Sequence, residues 1–323
     1  MAGAWHERMA QTFAYTAQAG SSRERAGAVS HGAKVWTALG TVYVIWGSTY
    51  LAIAIAVEDL PPLLAVSTRF LAAGGILAGW LAWRRRSTLR ITRAQLGAAA
   101  LIGILLPGAN AVLFFAERDV PTGLASLIIA SVPLWVVLLR LMARERLPGA
   151  VVAGVLVGFA GVAVLLRPTG GATALGLALC VLSALMWATG SFLSARMTLP
   201  RDPIAATAYE MLCGGAVMLP LGLATMHSFD VSGRSAAAWL YLVFFGSLVA
   251  YTAYVWLLAH VPLGTVATYA YVNPIVAIAL GFLFRDEALT PQILLGAAIV
   301  VASVAVVVRR EAPAATPTEE AVR

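Results

Sequence analysis

Ten apolar blocks, each about twenty residues long, constrain the fold of this 323-residue chain more than any other feature. They cover residues 35–57, 63–83, 96–116, 122–141, 149–166, 174–194, 204–226, 236–258, 263–284 and 291–308. A helix crosses a bilayer with about 20 apolar residues, whereas a barrel strand needs about ten residues of alternating polarity. The uninterrupted blocks predict an all-α integral membrane protein with ten transmembrane helices. Only 11% of the residues are charged, far below the roughly 25% of soluble domains, which argues against a soluble enzyme.

The basic residues lie mainly on one side of these helices. That side carries Arg8, Arg23, Arg25, Lys34, Arg84, Arg85, Arg86, Arg90, Arg93, Arg140, Arg144, Arg146, Arg196, Arg201, Arg309, Arg310 and Arg323. Cytoplasmic loops retain Lys and Arg, so the pattern predicts a multi-pass protein of the plasma (inner) membrane with both termini in the cytoplasm. Residues 1–33 and 310–323 are predicted to be flexible cytoplasmic tails. The net charge of +7 then reflects topology, since the basic residues form no aromatic-lined face for nucleic acid.

The chain also matches itself at a shift of 141 residues. The matched pairs are Trp46 with Trp187, Pro62 with Pro203, Gly74 with Gly215, Pro121 with Pro262, Gly123 with Gly264, and Pro133 with Pro274; after a one-residue insertion Glu145 matches Glu287. The shift predicts two five-helix repeats, at residues 35–168 and 174–309. Because five is odd, the second repeat must enter the membrane from the opposite side, which makes the repeats inverted. Inverted repeats around a midplane site are typical of secondary transporters.

Several motifs carry a family resemblance. They are Trp46-Gly47-Ser48-Thr49-Tyr50, Pro61-Pro62-Leu63 followed by Arg69-Phe70-Leu71-Ala72-Ala73-Gly74, Val120-Pro121-Thr122-Gly123, and Ala270-Tyr271-Val272-Asn273-Pro274. Over residues 35–308 the chain resembles the EamA family of the drug/metabolite transporter superfamily. The resemblance implies ten helices around a central cavity and export of amino acids or other small metabolites. Relatives with this first-helix motif often carry a basic residue where this chain has Ala54.

Arg69 and Glu210 are the two charged residues that fall clearly inside predicted spans. Arg69 follows Pro62 by seven residues and Glu210 follows Pro203 by seven, so each lies about 10 Å into its helix at 1.5 Å per residue. A charge at the bilayer centre costs about 2.5–3.5 kcal/mol on insertion scales and normally faces a cavity or a partner. One interpretation is a substrate-binding or coupling pair, with Arg69 for a carboxylate and Glu210 for an ammonium group or an exchanged proton. The alternative is a pair that fixes helix packing, or an Arg69 that snorkels outward.

Other polar and aromatic residues inside the spans complete the predicted substrate site. They are Trp46, Ser48, Asn110, Trp187, Tyr251, Tyr271 and Asn273. Their polar atoms need partners within the protein, which substrate or ordinary helix packing can supply. Pro133 and Pro274 free the carbonyl groups of Ile129 and Ala270 and are predicted hinges, with a passive bend as the alternative.

The sequence predicts a secondary transporter, an exporter of an amino acid or related small metabolite that works by alternating access. No nucleotide-binding loop or metal-ligand motif occurs in it, and Cys180 and Cys213 are isolated, so we expect neither cofactor, metal nor catalytic residue. Expected partners are a small-molecule substrate, the lipid bilayer and protons as a coupling ion, but no nucleic acid; the oligomeric state stays open. Multidrug efflux is an alternative within transport. From another class, the alternative is a lipid-handling enzyme or an assembly subunit.

Overall fold

The computed structural model describes residues 32–167, 172–225, 230–261, 263–266 and 268–311, and nearly all of both predicted tails lies outside these ranges. Ten helical spans follow one another. They are α1 (Gly32–Ala56), α2 (Pro62–Arg84), α3 (Arg93–Ala116), α4a (Thr122–Ile129) with α4b (Val132–Met142), α5 (Gly149–Leu165), α6 (Ala174–Ser194), α7 (Pro203–Ala224), α8 (Gly233–Tyr241, Leu242–Val249 and Ala250–His260), α9a (Leu263–Val266) with α9b (Tyr269–Arg285), and α10 (Pro291–Glu311). The described residues contain no strand. The prediction of an all-α membrane fold is confirmed.

Eight of these spans are long and apolar enough to cross a bilayer, and α5 and α9b are shorter apolar helices. The fourth and ninth spans are both interrupted. In the fourth, the helix stops before Pro133, which then occupies the first turn of α4b. In the ninth, Pro274 lies inside α9b. The predicted kink at Pro133 is therefore a break between two helices, because a proline fits the first helical turn, where its missing N–H costs nothing.

Local sequence signals define the helix starts. Thr92 and Gln95 form a reciprocal capping box at the start of α3. Asp202 accepts hydrogen bonds from the first backbone N–H groups of α7, at 2.9 and 3.1 Å. Thr173 and Ser232 cap α6 and α8 in the same way. These side chains satisfy N–H groups that have no partner inside the helix, so short polar residues at the connections fix where each helix begins.

Helices α2 and α7 cross in opposite directions around a local twofold relation. A Cβ on Gly74 would lie 3.1 Å from the carbonyl oxygen of Ala208, and a Cβ on Gly215 would lie 2.9 Å from that of Ser67. Ser67 and Gly74 are the residues that a shift of 141 places on Ala208 and Gly215. Equivalent residues thus exchange equivalent contacts, as a twofold arrangement requires. The antiparallel crossing shows that the two repeats are inverted.

The second pair of equivalent helices, α5 and α10, packs in the same manner. A Cβ on Gly158 would lie 3.2 Å from Ser303 Cβ, and one on Gly161 would lie 3.1 Å from Val300 Cγ2. The contacts again run in opposite directions along the two helices. Glycine and serine let the helices approach closely, as small residues do in membrane bundles.

The ends of the helices form two charged faces. On the face where α1 ends and α2 begins, acidic side chains predominate, and we call it the acidic face: Glu58, Asp59, Glu117, Asp119, Asp230, Asp286 and Glu287. The opposite, basic face carries the arginines between α2 and α3, at the end of α4b and between α6 and α7. One interhelical ion pair occurs on each face: Arg285 Nη1 lies 2.6 Å from Glu58 Oε1 on the acidic face, and Arg85 Nη1 lies 3.6 Å from Asp202 Oδ2 on the basic face.

Candidate functional site

Arg69 lies buried on α2, with 5% of its surface exposed. Its Nε donates to Ser247 Oγ on α8 at 3.0 Å, and its guanidinium carbon stands 5.0 Å from the centre of the Phe70 ring. Nη1 is buried and has no hydrogen-bond partner. No acidic side chain among the described residues forms an ion pair with it. The guanidinium is thus fixed by one serine and retains an unused donor edge inside the membrane span.

A π-helical segment of α8 builds the other wall of this site. Residues Leu242–Val249 form the wider turn, in the middle of the span. Gly246 accepts a hydrogen bond from Trp46 Nε1 at 3.1 Å through its carbonyl oxygen. A Cβ at Gly246 would lie 3.3 Å from Arg69 Nη2, so a side chain there would press on the guanidinium. Short π segments occur often at functional sites, and here the segment brings α1, α2 and α8 together.

Arg69 and Glu210 do not form the ion pair that the sequence suggested. Arg69 contacts Ser247, whereas Glu210, with 9% of its surface exposed, lies near Tyr251. Ser247 and Tyr251 are four residues apart on α8, about 6 Å along a helix axis. The two charges therefore flank neighbouring turns of the same helix. The helices α2 and α7 pack through small residues such as Gly74 and Gly215, and the Arg69 side chain extends from α2 to α8.

An aromatic cluster surrounds Trp46 on the side toward the basic face. The Trp46 ring centre lies 5.2 Å from that of Tyr254 and 5.1 Å from that of Tyr269, and Tyr251 lies 6.1 Å from Tyr254. Asn273 joins the cluster because its side-chain amide lies 3.2 Å from the carbonyl oxygens of Tyr43 and Tyr269. Tilted and edge-on contacts are favoured geometries for aromatic pairs, and Tyr and Trp add polar atoms to this otherwise apolar cluster.

The remaining predicted residues lie around this centre in different roles. Ser48 Oγ lies 2.7 Å from the Tyr241 hydroxyl of α8 and 2.9 Å from the Ile45 carbonyl oxygen. Asn110 donates to Leu106 within its own helix at 3.2 Å. Trp187 and Tyr271 are half-buried, and Tyr271 packs against the main apolar core. The structure thus brings Trp46, Ser48 and Arg69 together at α8.

At the acidic face, Glu287 joins the two repeats. The N–H groups of Thr122 and Gly123 donate to Glu287 Oε1 and Oε2 at 2.7 and 2.9 Å. A carboxylate is well placed at a helix N-terminus because it satisfies free N–H groups and opposes the helix dipole. The repeat-equivalent residue, Glu145, instead bonds Arg140 Nε at 2.6 Å and also contacts Arg196. The two repeats therefore differ in this contact.

Sequence reasoning missed Ser247, Tyr254, Glu117 and Thr122. Ser247 is the one hydroxyl residue in the run Leu242–Val249, and a polar residue in an apolar run signals a buried contact. Glu117 directly follows the last residue of α3, where the sequence pattern favours a solvated connection. The structure buries it, with 4% of its surface exposed and both carboxylate oxygens without a partner.

The model of the EamA-like transporter family matches residues 35–167 and 174–309, once per repeat. The chain belongs to the EamA-like transporter family. The predicted resemblance is confirmed, and this EamA protein is a member of a family of membrane transporters.

Named relatives agree with the assignment. The "Uncharacterized inner membrane transporter YedA" of Escherichia coli (strain K12) is 34% identical, over 84% of this chain and 89% of the relative. "Protein PecM" of Dickeya dadantii is 31% identical, over 81% and 88%. The "Probable terminal-alkyne amino-acid exporter" of Streptantibioticus cattleyicolor is 30% identical, over 85% and 93%. A solved crystal structure shares the fold, with a TM-score of 0.62 and 22% identity, over 85% of this chain and 96% of that chain.

Proposed function

We propose that this EamA protein exports a small metabolite that carries a carboxylate, such as an amino acid, by alternating access. The buried Arg69 guanidinium carries the proposal, because its Nη1 lacks a partner. A buried charge without a counter-charge is costly in a membrane, and a substrate carboxylate would offset that cost with a charge-assisted hydrogen bond. A relative named as an amino-acid exporter supports the same substrate class.

Three surroundings of Arg69 suit it for this role. Ser247 holds Nε, which orients the planar guanidinium. Gly246 has no Cβ, which would lie 3.3 Å from Nη2 and press on the guanidinium. The aromatic cluster around Trp46 and Tyr254 would contact the rest of the substrate through its ring faces. Arginine suits a carboxylate because its fork of N–H groups can form two parallel bonds.

The test measures uptake into everted membrane vesicles of a panel of radiolabelled amino acids and of their amide derivatives. We expect uptake of at least one amino acid, none of its amide, and loss of uptake in Arg69→Ala. Arg69→Lys should retain part of the activity, and Arg84→Ala is the matched control, since Arg84 is an exposed arginine at the far end of the same helix. Equal uptake by wild type and Arg69→Ala would refute the carboxylate role.

The proposal includes a plasma (inner) membrane location with both termini in the cytoplasm, so that the basic face is cytoplasmic. It also includes Glu210 as a proton-coupling group, since this carboxyl lies inside α7 and flanks the same helix as Arg69. A cysteine introduced at residue 2 tests the orientation. A membrane-impermeant maleimide should label it in permeabilised cells and leave it unlabelled in intact cells. If Glu210→Gln keeps the full pH-gradient dependence of uptake, the coupling role is wrong.

Multidrug efflux is the second candidate function, and the aromatic cluster favours it. Aromatic rings such as those of Trp46, Tyr254 and Tyr269 can stack on planar aromatic cations. Cells that overproduce the protein would then resist ethidium, and Trp46→Ala would remove the resistance. Under carboxylate export, the same cells should resist toxic amino-acid analogues and remain sensitive to ethidium.

A further inference from the structure

A cavity of about 280 Å³ lies at the acidic face between the two repeats. It is formed where the connection from α3 to α4a meets α1 and the end of α9b. The residues in its wall that matter here are Ala54, the acidic Glu117, Asp119 and Glu287, the basic Arg118 and Arg285, and Thr122. A single water occupies about 30 Å³ in the liquid, so the space is large enough for an ion with several waters.

Two polar side chains in the wall of this cavity are buried and have no partner. Glu117 is 4% exposed and neither carboxylate oxygen accepts a hydrogen bond; Thr122 is 1% exposed and its hydroxyl also lacks a partner. A buried carboxylate without a hydrogen bond or counter-charge is strongly unfavourable. These groups come from two ends of one connection, and they supply three oxygen atoms.

The neighbouring charges are already engaged elsewhere. Glu287 accepts the two N–H groups at the start of α4a, and Arg285 lies 2.6 Å from Glu58. Of the three carboxylates that line the cavity, only Glu117 is buried with both of its oxygen atoms unpartnered. Arg118 and Asp119 are exposed, so water screens them. The uncompensated charge is therefore that of Glu117.

We propose that Glu117 and Thr122 form a binding site for one small monovalent cation, such as Na⁺ or K⁺, at the junction of the two repeats. Oxygen ligands are those that hard cations prefer. The single uncompensated charge matches a monovalent ion, and no group of three or more acidic, histidine or cysteine side chains that could hold a metal ion occurs in the described parts of the chain.

The site goes beyond the proposed export function, because its test needs no transport substrate. We expect the melting temperature of the full-length protein in detergent, followed by tryptophan fluorescence, to rise with NaCl or KCl along a saturating curve. N-methylglucamine chloride at the same ionic strength is the reference, since its bulky organic cation cannot replace a bare ion among the three oxygen ligands. Ligands that bind only the folded state stabilise it in this saturable way.

Two variants should abolish the cation effect for opposite reasons. Glu117→Gln removes the charge, and Ala54→Lys, whose side chain would start from the cavity wall, supplies a fixed ammonium group in place of the ion. Thr122→Val should raise the half-saturating cation concentration about tenfold, and Asp230→Asn, which removes an exposed charge from the same face, should change nothing.

Several results would overturn the site. One is an equal effect of Na⁺, K⁺ and N-methylglucamine on the wild type. Another is an undiminished Na⁺ or K⁺ effect in Glu117→Gln or in a folded Ala54→Lys variant. A third is a wild-type response to pH alone, with no response to either cation, which would mean that Glu117 holds a proton and no ion.

Discussion

Replacement of Glu287 by glutamine should loosen the acidic face, because the carboxylate of Glu287 links α9b to the start of α4a. It accepts two backbone N–H groups, at 2.7 and 2.9 Å. A glutamine can accept only one of them, and its amide N–H₂ would face the other donor. A hydrogen bond to a charged group contributes about 1.5–3 kcal/mol, and a helix N-terminus adds about 0.3–1 kcal/mol for a negative charge. Because Glu287 is half-buried, we expect a loss of about 2 kcal/mol.

If this contact exists only while the acidic face is closed, about 2 kcal/mol corresponds to an approximately 30-fold rise in the open fraction, since about 1.4 kcal/mol is tenfold. The assay replaces Thr122 by cysteine in a chain without Cys180 and Cys213 and measures its rate of reaction with a membrane-impermeant maleimide. Thr122 is only 1% exposed, so a cysteine there reacts when the face opens. Glu287→Gln should raise the labelling rate by that factor.

Asp286→Asn is the matched control, since it removes the neighbouring, exposed charge and should leave the rate unchanged. Glu145→Gln, at the repeat-equivalent position on the basic face, should not raise labelling at residue 122. The reasoning is refuted if Glu287→Gln labels at the wild-type rate, because the carboxylate would then contribute nothing to closure.

Three further predictions concern packing, pH and the Trp46 contact. Gly103→Ala would push a Cβ into the Glu210 carbonyl oxygen on α7 and should cost about 1–3 kcal/mol, seen as a lower melting temperature, whereas Gly75→Ala has open space and should melt like wild type. The pKa of Glu145 lies below its ordinary value because Arg140 donates a hydrogen bond to the carboxylate. The ionised Glu145 therefore stabilises the fold above about pH 4.5, and this stabilisation is lost as the pH falls through the lowered pKa. Acid should destabilise the wild type more than Glu145→Gln. Trp46→Phe removes one hydrogen bond, worth about 0.5–1.5 kcal/mol, and should lower both the melting temperature and the rate of substrate uptake.

The sequence by itself determined the ten spans and the two repeats. Twenty-residue apolar blocks leave the backbone little choice in a bilayer, because only a helix satisfies every N–H and C=O within its own segment. The 141-residue shift and the odd number of helices per repeat then required an inverted arrangement, which the reciprocal contacts of Gly74 and Gly215 show. Polar residues such as Asp202 and Thr92 marked the helix starts, since capping is a local interaction.

Only the tertiary structure decided which polar side chains meet. The sequence placed Arg69 and Glu210 at equivalent depths and suggested a pair, but the direction in which each side chain leaves its helix depends on packing against a third helix, α8. The π-helical segment that brings Ser247 to Arg69 has no signature in composition. In the sequence, Glu117 falls in a connection between two apolar blocks. Its burial depends on contacts between connections that are far apart in the chain. Helix formation in a membrane depends on local sequence and can be predicted from it. The partners of a buried charge depend on how the helices rotate and cross, and residues far apart in the chain determine that packing.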